Sequence, residues 1–192
     1  MKKLLPAFML SLAACAAVGA EYTVDPVHSL VIYRIQHMGI APSYGVFTGI
    51  SGGFSFDPEK PGDSAMEIRV ATDSINSFNT ARDEHLKNPD FFDTARHPEM
   101  KFTSKSWKKT GDKTHEVTGE LTLLGVTREV VVRAVFGGTA KGMRGEQRAG
   151  FEAELTIKRS DFGMAKYLPD AIGDEVRLTI GIEGEAAAPA AK

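Results

Sequence analysis

The segment His28 to His37, HSLVIYRIQH, alternates strictly. Val31, Tyr33, Ile35 and His37 fall on one face, and Leu30, Ile32, Arg34 and Gln36 on the other. A period of two marks a half-buried strand and cannot wrap one face of a helix. What constrains the whole chain is that the pattern recurs. Strand-like runs follow at Tyr44 to Glu59, Ser64 to Ala71, Met100 to Lys109 and His115 to Leu124, then at Thr127 to Gly138, Arg148 to Arg159 and Asp174 to Glu185. Turn-forming links join them, such as Lys109-Thr110-Gly111-Asp112, Leu124-Gly125-Val126 and the glycine-rich Gly137 to Gly145. Eight strands without a long helical pattern predict an all-β, antiparallel sandwich or up-and-down barrel. Gly45, Gly49, Gly52 and Gly53 in the second run favour the barrel, because a sharply curved wall needs such residues. An eight-stranded barrel is wide enough to be filled by its own side chains or to hold one small ligand.

Two segments break the pattern. Thr80 to Lys87 predicts a short helix, with Thr80 and Asp83 spaced as a capping box and Pro89 stopping it. Lys158 to Asp174 is a long connection between the last two strands, of a length that in a compact domain usually serves function.

The chain opens with Lys2 and Lys3, an apolar run from Leu4 to about Cys15, and Val18-Gly19-Ala20 before Glu21. This is the layout of a secretory signal, so residues 1–20 are expected to be cleaved and the barrel, 21–185, to be periplasmic. Leu12-Ala13-Ala14-Cys15 also resembles a lipoprotein box, the less favoured alternative. Cleavage leaves 172 residues, 21 basic and 25 acidic side chains, and no cysteine. That length suits one domain with a substantial core, disulfides and thiol catalysis are excluded, and nothing suggests a nucleic-acid partner. Residues 186–192 read as a frayed tail.

The most chemically loaded stretch is Thr80 to Met100, TARDEHLKNPDFFDTARHPEM. Its histidines lack the i, i+4 spacing of a helical zinc pair, and the chain has no Gly-x-Ser-x-Gly elbow. No metal is expected. Arg82, His85 and Leu86 share one side of the short helix, with Phe91 and Phe92 beyond it. Two functions fit these residues. They can form a polar ring around an apolar barrel mouth, or Arg82, Asp83, His85 and His97 can supply the general acid and base of a hydrolase or other enzyme. A third alternative is a structural envelope protein whose barrel is filled by aromatics such as Phe47, Phe102 and Phe151.

Five ordered motifs, VDPVHSLVIYRIQHMGI, GVFTGISGGFSFDPEKP, SINSFNTARDEHLKNPDFFDTARHPEMKFTS, VTGELTLLGVTREVVV and AGFEAELTIKRSDFGM, resemble the YceI-like family of bacterial periplasmic proteins. The likeness runs from about Tyr22 to Glu183. It implies an extended, lipocalin-like, eight-stranded antiparallel barrel with one short helix in a long loop. It further implies a lumen that binds a long-chain amphiphile, a polyisoprenoid, isoprenoid quinone or fatty-acid-like molecule, with no required cofactor and no catalysis, in a setting linked to stress. Transient membrane contact and a homodimer are compatible with it. The polar positions matching the family are His28, His37, Arg82, Asp83, His85, Arg159 and Asp161, beside Phe91, Phe92 and Phe162. Tyr33, Phe47 and Phe102 complete the expected ligand-binding set. Phe78, bulky where relatives often carry a small residue, and the segment Met164 to Asp170 depart from the pattern.

Overall fold

The computed structural model describes residues 20–186. The expected signal up to residue 19, Cys15 with it, and tail residues 187–192 lie outside the described residues.

Among the described residues there are eleven strand segments, one α-helix and three short 3-10 turns. The strands and helix are β1 (Ala20–Val24), β2 (Leu30–His37), β3 (Ala41–Phe47), β4 (Ile50–Phe56), β5 (Ala65–Ala71) and β6 (Ile75–Asn76), then α1 (Thr80–Lys87). After it come β7 (Glu99–Lys109), β8 (Thr114–Leu123), β9 (Val126–Lys141), β10 (Gln147–Lys158) and β11 (Ile172–Ala186). The eleven occupy eight positions around a closed wall. β1 and β2 both run antiparallel to β11, at its C-terminal and N-terminal parts respectively, and so form one strand interrupted between them. β4 pairs with β1 and β3 with β2, and β5 and β6 lie against β4 and β3 in turn. β7 to β11 follow as single strands, and the β1–β11 pairing closes the ring.

The glycine-studded run Tyr44 to Glu59 is therefore one wall position but two strands, broken at Thr48-Gly49. Gly52 explains part of the curvature. Its φ is +119°, and a Cβ there would stand 2.1 Å from the Glu67 carbonyl oxygen, so no side chain fits. On the outer wall, the break between β1 and β2 is stitched by Arg148. It donates to Asp25 at 2.8 Å and to Glu146 at 3.0 Å, and pairs with Glu183 and Glu185 of β11. The His28 hydrogen bond and then the Arg148 guanidinium hold the Asp25 carboxyl well below the usual carboxylate range.

Inside, one end is sealed by aromatic rings. Phe56 packs at 4.7 Å on Phe136 and edge-on at 4.9 Å on Phe151, and Trp107 stands 5.5 Å from Phe151. His115 is built into this plug, 2% exposed and edge-on to Phe56, and neither ring nitrogen has a hydrogen-bond partner among the described residues. Burial, with Lys109 assisting, holds its imidazole below the ordinary value of 6.5. Because the folded value is depressed, the pH-dependent part of the cost is absent above 6.5, where the ring is neutral in both states. Below 6.5 the unfolded chain takes up a proton that the folded chain refuses, and stability falls. His115→Phe should remove this sensitivity. Urea unfolding is expected to show the variant gaining on the wild type by about 1.4 kcal/mol per pH unit below 6.5, until the folded histidine itself titrates. A difference that does not change with pH would contradict it.

Candidate ligand cavity

Above the aromatic plug the barrel is hollow. A cavity of about 340 Å³ runs from a floor of Trp107 and Phe151 toward the end framed by the β2–β3 turn, α1 and the loop after β10. Its walls are the inward faces of the strands: Val31, Tyr33, Ile35 and His37 of β2 all face it, as the alternation predicts, and Gln36, assigned to the other face, also reaches its lining at the end of the strand. Ile68 and Val70 of β5, Phe102 of β7, and Val117 and Leu121 of β8 continue the wall. The lining is overwhelmingly apolar, and its few polar groups gather near the mouth. That distribution is typical of small-molecule sites.

Local sequence explains how the mouth is built. α1 is capped one residue earlier than expected, by the Asn79 side chain accepting from the Arg82 amide at 3.0 Å. This frees Asp83, whose carboxylate accepts from the backbone amide of Ser77 at 2.7 Å and from its hydroxyl at 2.5 Å. Arg82 grips the same buried Ser77, from Nε to the hydroxyl at 2.8 Å and from Nη2 to the carbonyl. The helix is thereby locked to the wall with Arg82, His85 and Leu86 lining the cavity. Phe92 meets Phe47 edge-on at 5.3 Å, and Phe91 is almost fully buried beside His85. On β2, burial raises the pKa of the Tyr33 phenol; its ring lies so close to Gly45 that a Cβ there would stand 2.3 Å from the hydroxyl oxygen.

Arg159 opens the loop after β10 in a short 3-10 turn, Arg159–Phe162. It is 2% exposed and donates to three carbonyls, Gly173 at 2.8 Å, Met164 at 2.9 Å and Ile172 at 3.0 Å. The loop is thus folded back around its own guanidinium, placing Met164 and Tyr167 on the cavity. The two rims touch. Asp90, beyond α1, accepts from Lys166 at 3.2 Å and lies 3.5 Å from His85 Nε2, while Tyr167 packs on His85 and Phe91. Lys166 first, and His85 after it, hold the Asp90 carboxyl below its ordinary range.

Of the residues expected to contact a ligand, Tyr33, His37, Phe47 and Phe102 line the cavity from the strands, and Arg82, His85, Phe91, Phe92 and Arg159 from the loops. Three are placed elsewhere. His28 is exposed on the outer wall, 2.7 Å from Asp25, because the chain breaks between β1 and β2 before the inward register resumes. Asp161 points to solvent, and Phe162 is buried to 2% beneath the loop without reaching the cavity. Phe78 is 73% exposed at φ +64°, so its bulk stays out of the lumen. Sequence reasoning missed Lys101, Trp107, Met164 and Tyr167. The alternation of β7 could have suggested Trp107 from Phe102 only by allowing for the bulge between Ser104 and Ser106. Met164 and Tyr167 lie in the segment Met164 to Asp170, which the sequence marked only as a departure from the family pattern at one rim.

The four residues of the enzymatic alternative do not converge. Arg82 and Asp83 are spent on Ser77, His85 leans on Asp90, and the His97 ring lies beside Gly125, off the cavity. Among the described residues one cluster has metal-ligand geometry, Asp25, His28 and Glu183. The Arg148 guanidinium already bonds to both of its carboxylates and supplies the positive charge.

A closed antiparallel barrel with an apolar lumen and a polar mouth defines a lipocalin-like class of protein. Within that class the family model of the YceI-like domain matches residues 22–184, and the chain belongs to the YceI-like family. It is 41% identical over 177 residues to Protein YceI of Escherichia coli, covering 91% of this chain and 92% of that protein. The solved structure of the Campylobacter jejuni YCEI protein is similar at a TM-score of 0.69 and 32% identity, over 80% of this chain and 90% of the other. A polyisoprenoid binding domain from Saccharophagus degradans shares the fold at a TM-score of 0.70 and 17% identity, over 86% and 98% of the two chains.

The contact between the two rims predicts a local effect. Asp90→Asn or Lys166→Ala should raise amide hydrogen exchange in the loops around residues 88–95 and 164–172 while leaving exchange in β8 to β10 unchanged. Unaltered loop exchange would mean that the contact does not hold the rims together.

Proposed function

We propose that this protein binds one long-chain amphiphile in the barrel lumen, apolar chain toward Trp107 and polar end at the mouth, and carries or stores it in the periplasm. The observation that carries this reading is the cavity itself, about 340 Å³ of apolar wall with its polar groups confined to one end. Burial of each methylene contributes about 0.8 kcal/mol, so a chain of several isoprene units outweighs the cost of ordering it. The polar mouth then selects and orients the head. A polyisoprenoid, an isoprenoid quinone and a fatty-acid-like molecule all satisfy the shape, and the name of the Saccharophagus degradans neighbour supports the first. The leader expected at residues 1–20 supports periplasmic location, with lipidation at Cys15 as the alternative tether. Met38 and Ile40, 57% and 80% exposed at the β2–β3 turn beside the mouth, suit brief contact with a lipid surface during transfer.

Ala153, on the inward face of β10, offers the direct test. Ala153→Phe grows into the hollow, where overpacking has room to be absorbed. Native mass spectrometry of protein purified from its own host is expected to show a lipid adduct on the wild type and none on this variant, with both folded by circular dichroism. A wild-type protein free of adduct that also takes up neither polyprenol nor quinone would end the proposal.

A further inference from the structure

The charged groups on the cavity lining already have acidic partners. Arg82 shares the Ser77 hydroxyl with the Asp83 carboxylate, Lys101 lies 2.8 Å from Glu67, and His85 lies 3.5 Å from Asp90. Arg159, fully buried, has Asp174 as its charge partner. An ionised head group entering the lumen therefore meets no free counter-charge, and burying an unpaired charge is costly. What the lining leaves open is neutral. The β2–β3 wall turns Tyr33, Ser43 and His37 toward the lumen, and among the described residues none of these three side chains makes a hydrogen bond to the protein. The register lines them up. Tyr33 stands opposite Gly45, Ile35 opposite Ser43 and His37 opposite Ala41, so the three polar groups follow one another along the wall toward the mouth. Tyr33 and Ser43 are half-buried and His37 is exposed. Gly45 seats the deepest of them: a Cβ there would stand 2.3 Å from the Tyr33 hydroxyl oxygen, so the phenol lies against bare backbone. Burial raises the pKa of that phenol, which keeps it a neutral donor. Trp107 Nε1 is also without a partner, but it is sealed in the floor.

We infer that the lumen takes an uncharged head group bearing an acceptor oxygen, held on the β2–β3 wall by the Tyr33 hydroxyl, with Ser43 and His37 as the next hydrogen-bonding groups toward the mouth. The inference rests on the lumen-binding reading above and narrows its ligand class: of the molecules that fit the shape, it sets the ionised fatty acid apart from the neutral ones. A neutral carbonyl or hydroxyl loses little on leaving water and regains its hydrogen bond from the phenol. A carboxylate or ammonium loses far more and finds on this wall only neutral partners. The phenol gains as well, since a half-buried donor without a partner is satisfied only when the ligand arrives.

The test uses delipidated mature protein loaded with diphenylhexatriene, a hydrocarbon probe with no hydrogen-bonding group. Competitors share one chain and differ in the head: methyl hexadecanoate, hexadecanoate and hexadecylammonium, all below micelle-forming concentrations. The ester is expected to displace the probe at about tenfold lower concentration than either ion. Infrared spectra of the bound ester, labelled at its carbonyl carbon, should show the carbonyl stretch lowered relative to the same ester in hydrocarbon solvent. Tyr33→Phe removes only the hydroxyl; it should return the stretch toward its hydrocarbon value and weaken the ester severalfold more than it weakens the probe. Gly45→Ala, which pushes the phenol off its seat, should do the same, whereas Tyr44→Phe, half-exposed on the outer face, should do neither. An ion that displaces the probe as readily as the ester, a stretch unchanged in Tyr33→Phe or Gly45→Ala, or one shifted equally in Tyr44→Phe would overturn the inference. If neither the probe nor any competitor enters, the lumen-binding reading falls along with it.

Discussion

Everything inside this molecule depends on the closure of the wall by a short pairing, Tyr22, Thr23 and Val24 of β1 with Ala186, Glu185 and Gly184 of β11. An open sheet of the same strands would expose an edge and a greasy face together, and neither survives in water without a partner. Closure removes the edge and converts the inward face of every strand into the surface of one enclosed space. Arg148 reinforces it from outside, bridging the point where β1 gives way to β2 and the hydrogen-bonded ladder is interrupted.

Closure alone does not make a hollow. The same wall is filled at one end by Phe56, Trp107, Phe136 and Phe151 and left open at the other, and the difference lies in side-chain size and direction. Toward the mouth the strands carry shorter aliphatic side chains, such as Ile35 of β2, Val70 of β5 and Ile157 of β10. The large rings of Phe91 and Phe92 enter from the helical loop instead of from the strands. The mouth is thereby narrowed by chain that lies outside the strands of the wall. Arg82 and Asp83 fix one rim by holding Ser77, and Arg159 fixes the other by holding three carbonyls of its own loop.

The eight-fold barrel was readable in the sequence because its cause is local: period-two alternation and turn chemistry recur in every segment. The interruptions were not, since they depend on which neighbour a strand meets. β1 and β2 share β11, and no property of residues 25–29 taken alone announces this. The capping residue was misplaced by one because Asp83, at the spacing of a box, is drawn away by Ser77, while Asn79 does the capping. The same limit governs the site. Residues on regular strands, such as Tyr33, His37, Phe47 and Phe102, were placed on the lumen by alternation and family likeness. His28 and Asp161 sit where the chain leaves its register, and the likeness of their motifs carried no information about direction.

The central claim is that the lumen is a container for a chain-like molecule, and the most direct measurement is an experimental structure of the protein purified from its own host without delipidation. The account predicts elongated density, continuous from the Trp107 floor past Phe102 and Phe47 to a broader head toward the mouth. Phe47, Phe92 and Phe102 turned inward to fill the lumen, with no density along its axis, would contradict it.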